Sequence, residues 1–124
     1  LACQYDLTIT HPEGYELCGA FTKGATIEYD QQKALKEADF VYVKNWSSYT
    51  DYGKVLTTEP NWMLNNEKMQ VTNQAKIMHC LPVRRNVELS DELLDGPHSL
   101  ILQQATNRTF AAQTILKQLL ENNF

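Results

Sequence analysis

The sequence predicts an α/β domain, a parallel sheet with helices on both faces. Strand-like apolar runs alternate with helix-like stripes along the chain, and Pro, Gly and capping residues punctuate them. The 124 residues suit one compact domain, large enough to bury a core and too small for two ordinary ones.

The elements follow in order. Tyr5 to Thr10 alternates apolar and β-branched residues and stops at His11-Pro12-Glu13-Gly14, which predicts a strand and a loop. Thr26 to Tyr29 predicts a second short strand. Asp30 can cap a helix from Gln31 to Ala38, in which Ala34, Leu35 and Ala38 give a 3.6-residue stripe. Phe40 to Val43 reads as a buried strand. Asn45 to Asn66 is rich in Ser, Thr, Asn, Tyr and Trp without clear periodicity, so a long loop with room for a short helix is expected, and loops of that length are often functional.

Met69 to Gln74 predicts one or two helical turns, and Lys76 to Cys80 the next strand. Ser90 followed by Asp91 and Glu92 marks a helix start, with Gly96-Pro97 as its stop. Ser99 to Leu102 reads as the last strand. A final helix, Thr106 to Glu121, places Ala112, Ile115, Leu116, Leu119 and Leu120 on one side.

Composition narrows the function. The chain is 43% hydrophobic and 21% charged, as soluble globular proteins are, without a long apolar span. A formal net charge of -4 argues against nucleic acid or a membrane surface as partner, so any anion site is local. Cys3, Cys18 and Cys80 are odd in number and lack CxxC spacing, which indicates neither a disulfide framework nor structural zinc. A reducing, cytoplasmic setting is expected. The opening LACQYDLTIT has no initiator Met, basic region or long apolar stretch, so it does not read as a signal peptide and the chain is expected to begin in mid-protein.

In open α/β sheets ligands bind beyond the carboxyl ends of the strands. There the sequence places His11, then Lys44, then His79 and Cys80 with Arg84 and Arg85, and finally Arg108. An acidic chain thus collects cations at one edge. Each has a plainer reading: His11 beside Pro12 as a turn residue, Lys44 as a snorkelling strand end, Cys80 as a small core residue, and one of the two arginines as a solvated loop residue. Arg108 is expected in or near the first turn of the last helix, where a cation is disfavoured unless an anion is bound nearby.

These features support an α/β domain that binds a small anionic ligand. A Cys80 nucleophile with His79 as base is the rival reading, weakened because adjacent strand residues point to opposite faces. The same geometry argues against a metal site, and no Gly-x-Gly-x-x-Gly follows a strand to suggest a dinucleotide. No cofactor or metal is expected.

The stretch Met78-His79-Cys80-Leu81-Pro82-Val83-Arg84-Arg85-Asn86 resembles the signature of ornithine-type carbamoyltransferases, in the branch that uses N-acetyl- or N-succinylornithine. Ala105-Thr106-Asn107-Arg108 resembles the family's Glu-Ala-x-Asn-Arg element, with Gln104 where an acidic residue is common. Thr10 to Leu17 and Tyr42 to Trp46 also look like their counterparts in that branch. The resemblance covers essentially the whole chain, with order and spacing preserved.

The resemblance implies a Rossmann-like parallel sheet, most of the C-terminal, amino-acid-binding domain of a carbamoyltransferase. Residues 1–124 would be that second domain, incomplete at its N-terminal side. The implied reaction moves the carbamoyl group of carbamoyl phosphate to the side-chain amine of an acylated ornithine, with N-succinylornithine favoured over N-acetylornithine or ornithine. His79 and Arg108 would contact the carbamoyl oxygen. Cys80 and the Leu81 carbonyl would orient the amine or the carbamoyl amide. Lys44 and Arg84 would bind substrate carboxylates, a point charge and a fork suited to a multiply anionic guest. A Ser-Thr-Arg-Thr-Arg-like phosphate loop is missing, so the 124 residues alone are expected to be inactive, and a homotrimer is expected for the longer protein.

Overall fold

The computed structural model describes residues 5–48, 51 and 60–121. Short parallel strands alternate with helices, as expected for an α/β domain. The elements are β1 (Thr8–Ile9), α1 (Gly19–Thr22), β2 (Thr26–Ile27), α2 (Gln31–Leu35), β3 (Phe40–Val43), α3 (Asn66–Met69), β4 (Lys76–His79), α4 (Asp91–Leu94) and α5 (Ile101–Glu121). β1 pairs with β2 and β3 with β4, both in parallel. Among the described residues the strands therefore form two pairs rather than one continuous sheet.

Capping explains the helix starts. Asp30 accepts from the backbone N–H groups of Gln32 and Lys33, and Asn65 from that of Lys68. The Asn65 cap moves α3 ahead of the expected Met69–Gln74 segment. Ser90 opens α4 but makes no side-chain cap bond. The neighbouring Asn86, in the left-handed region at φ 56, takes that role: its Oδ1 accepts from Asp91 N at 3.0 Å. Lys68 ties α3 to α2 and to the 3-10 turn Pro60–Trp62, donating to Gln31 Oε1 and to the Asn61 carbonyl.

Leu35, Leu64, Ile77, Leu89, Leu93 and Ile101 form the core, with Val41, Val43, Met69, Val83 and Leu94 packed against it. Period-two alternation sends Ile77 and His79 of β4 to this core face. On β3 it sends Val41 and Val43 there but leaves Phe40 and Tyr42 exposed, so the strand expected to be buried is covered on one face.

Two further expectations change. Ser99–Leu102 is not a strand: Ser99 makes a single bridge to Ile77, Leu100 N donates to the Ile77 carbonyl, and the helix begins at Ile101 because that side chain closes the core. α5 thus starts five residues before the expected Thr106, and its stripe of Ile115, Leu116, Leu119 and Leu120 lies exposed. Cys3 and most of the loop between Ser48 and Pro60 lie outside the described residues.

Candidate functional site

Register brings the site together. β3 and β4 run side by side with Val43 opposite His79, so Lys44 and Cys80 leave neighbouring strands at the same carboxyl edge. Lys44 Nζ donates to Cys80 Sγ at 3.5 Å. One step further, Asn45 Nδ2 donates to the Pro82 carbonyl at 3.2 Å, fixing the two post-strand turns to each other across the cis Leu81–Pro82 peptide.

His79 sits at the end of β4 with its ring buried. Neither ring nitrogen has a hydrogen-bond partner among the described residues. Burial lowers its pKa below 6.5, and the Lys44 charge adds to this; the Cys80 backbone and the Glu88 carboxylate pull the other way. At neutral pH the imidazole is neutral, with one N–H to donate and one nitrogen to accept. A buried ring with unused nitrogens is costly unless a ligand engages it.

The first turn of α5 is tied to this edge by Gln104. His79 N donates to its Oε1 at 3.1 Å, and its Nε2 donates to Tyr42 Oη at 3.3 Å. Arg108 lies one turn later on the same helical face, because residues four apart are neighbours on a helix. It stands about two turns into α5, so the expectation that it sits in or near the first turn fails. The argument from an unfavourable helix dipole falls with it, since that effect is confined to the terminal turn. Arg108 is exposed and makes no ion pair among the described residues.

The adjacent arginines divide as expected. Arg85 is exposed and spans Asp91 and Asp95 at 2.8 and 2.7 Å. Those bonds hold both carboxyls below the usual range, and this arginine is the solvated one. Arg84 instead reaches a fully buried carboxylate, Glu88, which sequence reading overlooked. The available signal was the four-residue spacing from Arg84 and an acid between Val87 and Leu89.

Lys44, His79, Cys80 and Leu81 are thus brought to one edge, with Arg84 following in the same turn. His11 lies at the end of the other strand pair, with Nδ1 2.9 Å from its own Pro12 carbonyl and its ring edge-on to Tyr29, the turn role. The His79–Cys80 dyad is not formed: neither ring nitrogen has a hydrogen-bond partner among the described residues, and the thiol meets Lys44. Among the described residues no cluster of His, Cys, Asp and Glu could hold a metal, and no helix is long and apolar enough to cross a membrane.

A neutral buried imidazole and a lysine at one strand edge, with Arg84 in the turn that follows, suit a small ligand with a carbonyl and more than one negative charge. Residues 2–119 match the aspartate/ornithine carbamoyltransferase, Asp/Orn binding domain family, and the chain belongs to it.

Within that family it is 50% identical over 123 residues to an N-succinylornithine carbamoyltransferase of Bacteroides fragilis, covering 98% of this chain and 39% of the relative. An ornithine carbamoyltransferase of Methanococcus maripaludis is 33% identical, covering 94% of this chain and 44% of the relative. Among solved structures, N-acetyl-L-ornithine transcarbamylase complexed with acetylcitrulline superposes with a TM-score of 0.82 at 26% identity, over 95% of this chain and 41% of that one. Ornithine carbamoyltransferase from Pyrococcus furiosus gives a TM-score of 0.77 at 27% identity, over 90% of this chain and 40% of that one. The chain therefore spans about two fifths of the length of its relatives.

Proposed function

We propose that residues 1–124 are the second, amino-acid-binding domain of an enzyme that carbamoylates N-succinyl-L-ornithine. The amine nitrogen forms a bond to the carbamoyl carbon, the bond from that carbon to the phosphate oxygen breaks, phosphate leaves with the electron pair, and the amine gives up one proton to the departing phosphate or to water. The products are N-succinyl-L-citrulline and phosphate, a step of arginine biosynthesis in a cytoplasmic homotrimer.

Catalysis of this kind rests on alignment and on donors aimed at the oxygen that gains charge. In this reading the neutral His79 N–H and the Arg108 guanidinium face the carbamoyl oxygen. Cys80 and the Leu81 carbonyl orient the amine, and neither forms a covalent bond. Lys44 and Arg84 take the substrate carboxylates. The observation that carries the reading is the buried His79 ring, whose nitrogens are unused beside Lys44 and Cys80. The half-identical relative named for N-succinylornithine supports succinyl as the acyl group.

The test assays the full-length protein with carbamoyl phosphate and, in turn, N-succinyl-, N-acetyl- and unmodified ornithine. Turnover highest with the succinyl compound is expected, and none from this polypeptide alone. Preference for either other amine would overturn the acyl assignment. Binding without turnover of any would make the protein a non-catalytic amino-acid-binding module.

A further inference from the structure

Between β4 and α4 the chain buries a carboxylate that the reaction itself does not call for. Glu88 is 0% exposed, flanked by the half-buried Val87 and the core residue Leu89. Its backbone is held as well, because its carbonyl accepts from Leu64 N at 3.0 Å. A buried carboxylate without partners loses far more in hydration than packing returns, so its neighbours explain its presence.

Among the described residues the carboxylate's hydrogen-bond and ion-pair partners all belong to Arg84. Arg84 Nε donates to Glu88 Oε1 at 2.6 Å, Arg84 Nη2 contacts the same oxygen, and the Arg84 backbone N–H donates to Oε2 at 3.2 Å. The acid therefore grips both the main chain and the side-chain fork of a single arginine. The pair is lopsided: the Glu88 side chain is 0% exposed while that of Arg84 is 41% exposed. The carboxylate lies behind the guanidinium and occupies its Nε edge. A guanidinium carries five N–H donors in a rigid plane; Nη2 is buried with the carboxylate, so the two hydrogens on Nη1 are the ones left for a second carboxylate in front.

We propose that Glu88 is the positioning residue that holds Arg84 ready for a carboxylate of the amino-acid substrate, an inference that rests on the functional reading above. Without it Arg84 would be a long, freely rotating side chain that must be ordered each time substrate binds. Fixing it beforehand removes that entropic cost, and the Glu88 charge offsets part of the cost of gathering Lys44, Arg84 and Arg108 around one site. Three acids divide the two arginines of this turn between them. Asp91 and Asp95 take Arg85 in the open, while Glu88 sits inside and takes Arg84.

The experiment is a double-mutant cycle in the full-length protein, with KM measured separately for the acylated ornithine that it turns over best and for carbamoyl phosphate. Glu88→Gln keeps the size and removes the charge; it is expected to raise KM for the ornithine substrate by roughly tenfold, the order of one immobilised side chain, and KM for carbamoyl phosphate far less. In an Arg84→Ala background the same Glu88→Gln change is expected to add nothing, because the residue it positions is already gone. Equal rises in both KM values, or effects of the two substitutions that simply multiply, would show a general structural role and overturn the proposal.

Should Glu88→Gln fail to fold, Glu88→Asp keeps the charge and withdraws it by one methylene, with the same split expected. Coordinates of the unmutated protein with its amino-acid ligand decide independently of any variant. Arg84 bonded to Glu88 through Nε and to the ligand through Nη1 supports the proposal, and a guanidinium turned away from Glu88 defeats it. A wild type that turns over none of the three ornithines sinks the functional reading first; normal turnover without coupling sinks this proposal alone.

Discussion

β4 with the turn that follows it, and α5, are comparably apolar in sequence and opposite in circumstance. Ile77, Leu89, His79 and Glu88 are at most 1% exposed. In α5, Ile101 is buried, whereas Leu102, Phe110, Ile115, Leu116, Leu119 and Leu120 are exposed, Leu102 at 77%. The first region therefore derives its stability from tertiary packing and can bury an imidazole and a carboxylate. The second depends on its own helix propensity beyond its opening turns, where Ile101 and Gln104 anchor it. The proposed chemistry falls where the backbone is most tightly held, and the Gln104 bonds tie the start of α5 to that place.

The sharpest way to break this contrast is truncation on each side of it. Ile77→Ala removes a buried side chain between Leu35, Leu64 and Leu89, and should cost about 2–5 kcal/mol in urea unfolding, the range for emptying a packed core site. Leu116→Ala in the isolated polypeptide should change stability by less than about 0.5 kcal/mol, as for surface positions. A large loss at Leu116, growing with protein concentration, would show that a second copy covers the α5 face in solution.

A smaller effect tests the packing of the turn between β4 and α5. A methyl group added at Gly96 would meet the Glu92 carbonyl oxygen at 2.5 Å, a backbone atom that cannot swing aside. Gly96→Ala should therefore destabilise by about 1–3 kcal/mol, as overpacked sites do. At Gly19, at the start of α1, nothing lies within 4 Å, and the same substitution should be harmless. Equal urea midpoints for the two variants would mean that the α4 end relaxes freely.

How legible all this was in the sequence depends on the kind of signal. β3 and β4 were readable because β-branched and apolar runs bounded by polar residues have few alternatives, and Asp30 announced α2 through a local capping bond. The start of α5 was not, because Ser99-Leu100-Ile101-Leu102 suits a strand as well as a helix. Tertiary contact decided it when Ile101 closed the core. Lys44, His79 and Cys80 were found together by the rule that strand ends carry sites. Glu88 escaped because its role exists in three dimensions alone: an isolated acid among apolar neighbours looks like a surface residue until Arg84 folds over it.

The last and smallest effect concerns the buried imidazole. In the folded chain the His79 pKa lies below its ordinary value of 6.5, chiefly through burial and with Lys44 adding to it, despite the opposing Glu88 carboxylate. Below about pH 6.5 the unfolded chain therefore binds a proton that the folded chain resists, and stability must fall as pH drops from there towards the folded pKa. Above 6.5 both states are neutral and this contribution is flat. Urea midpoints measured at about pH 7.5 and about pH 5.5 should thus be lower at the acid end, with the gap narrowed by His79→Gln. A gap unaffected by His79→Gln would assign the acid sensitivity to other groups and place the imidazole in contact with water. The contrast between a sealed strand end and a bare helix would then lose its chemical half.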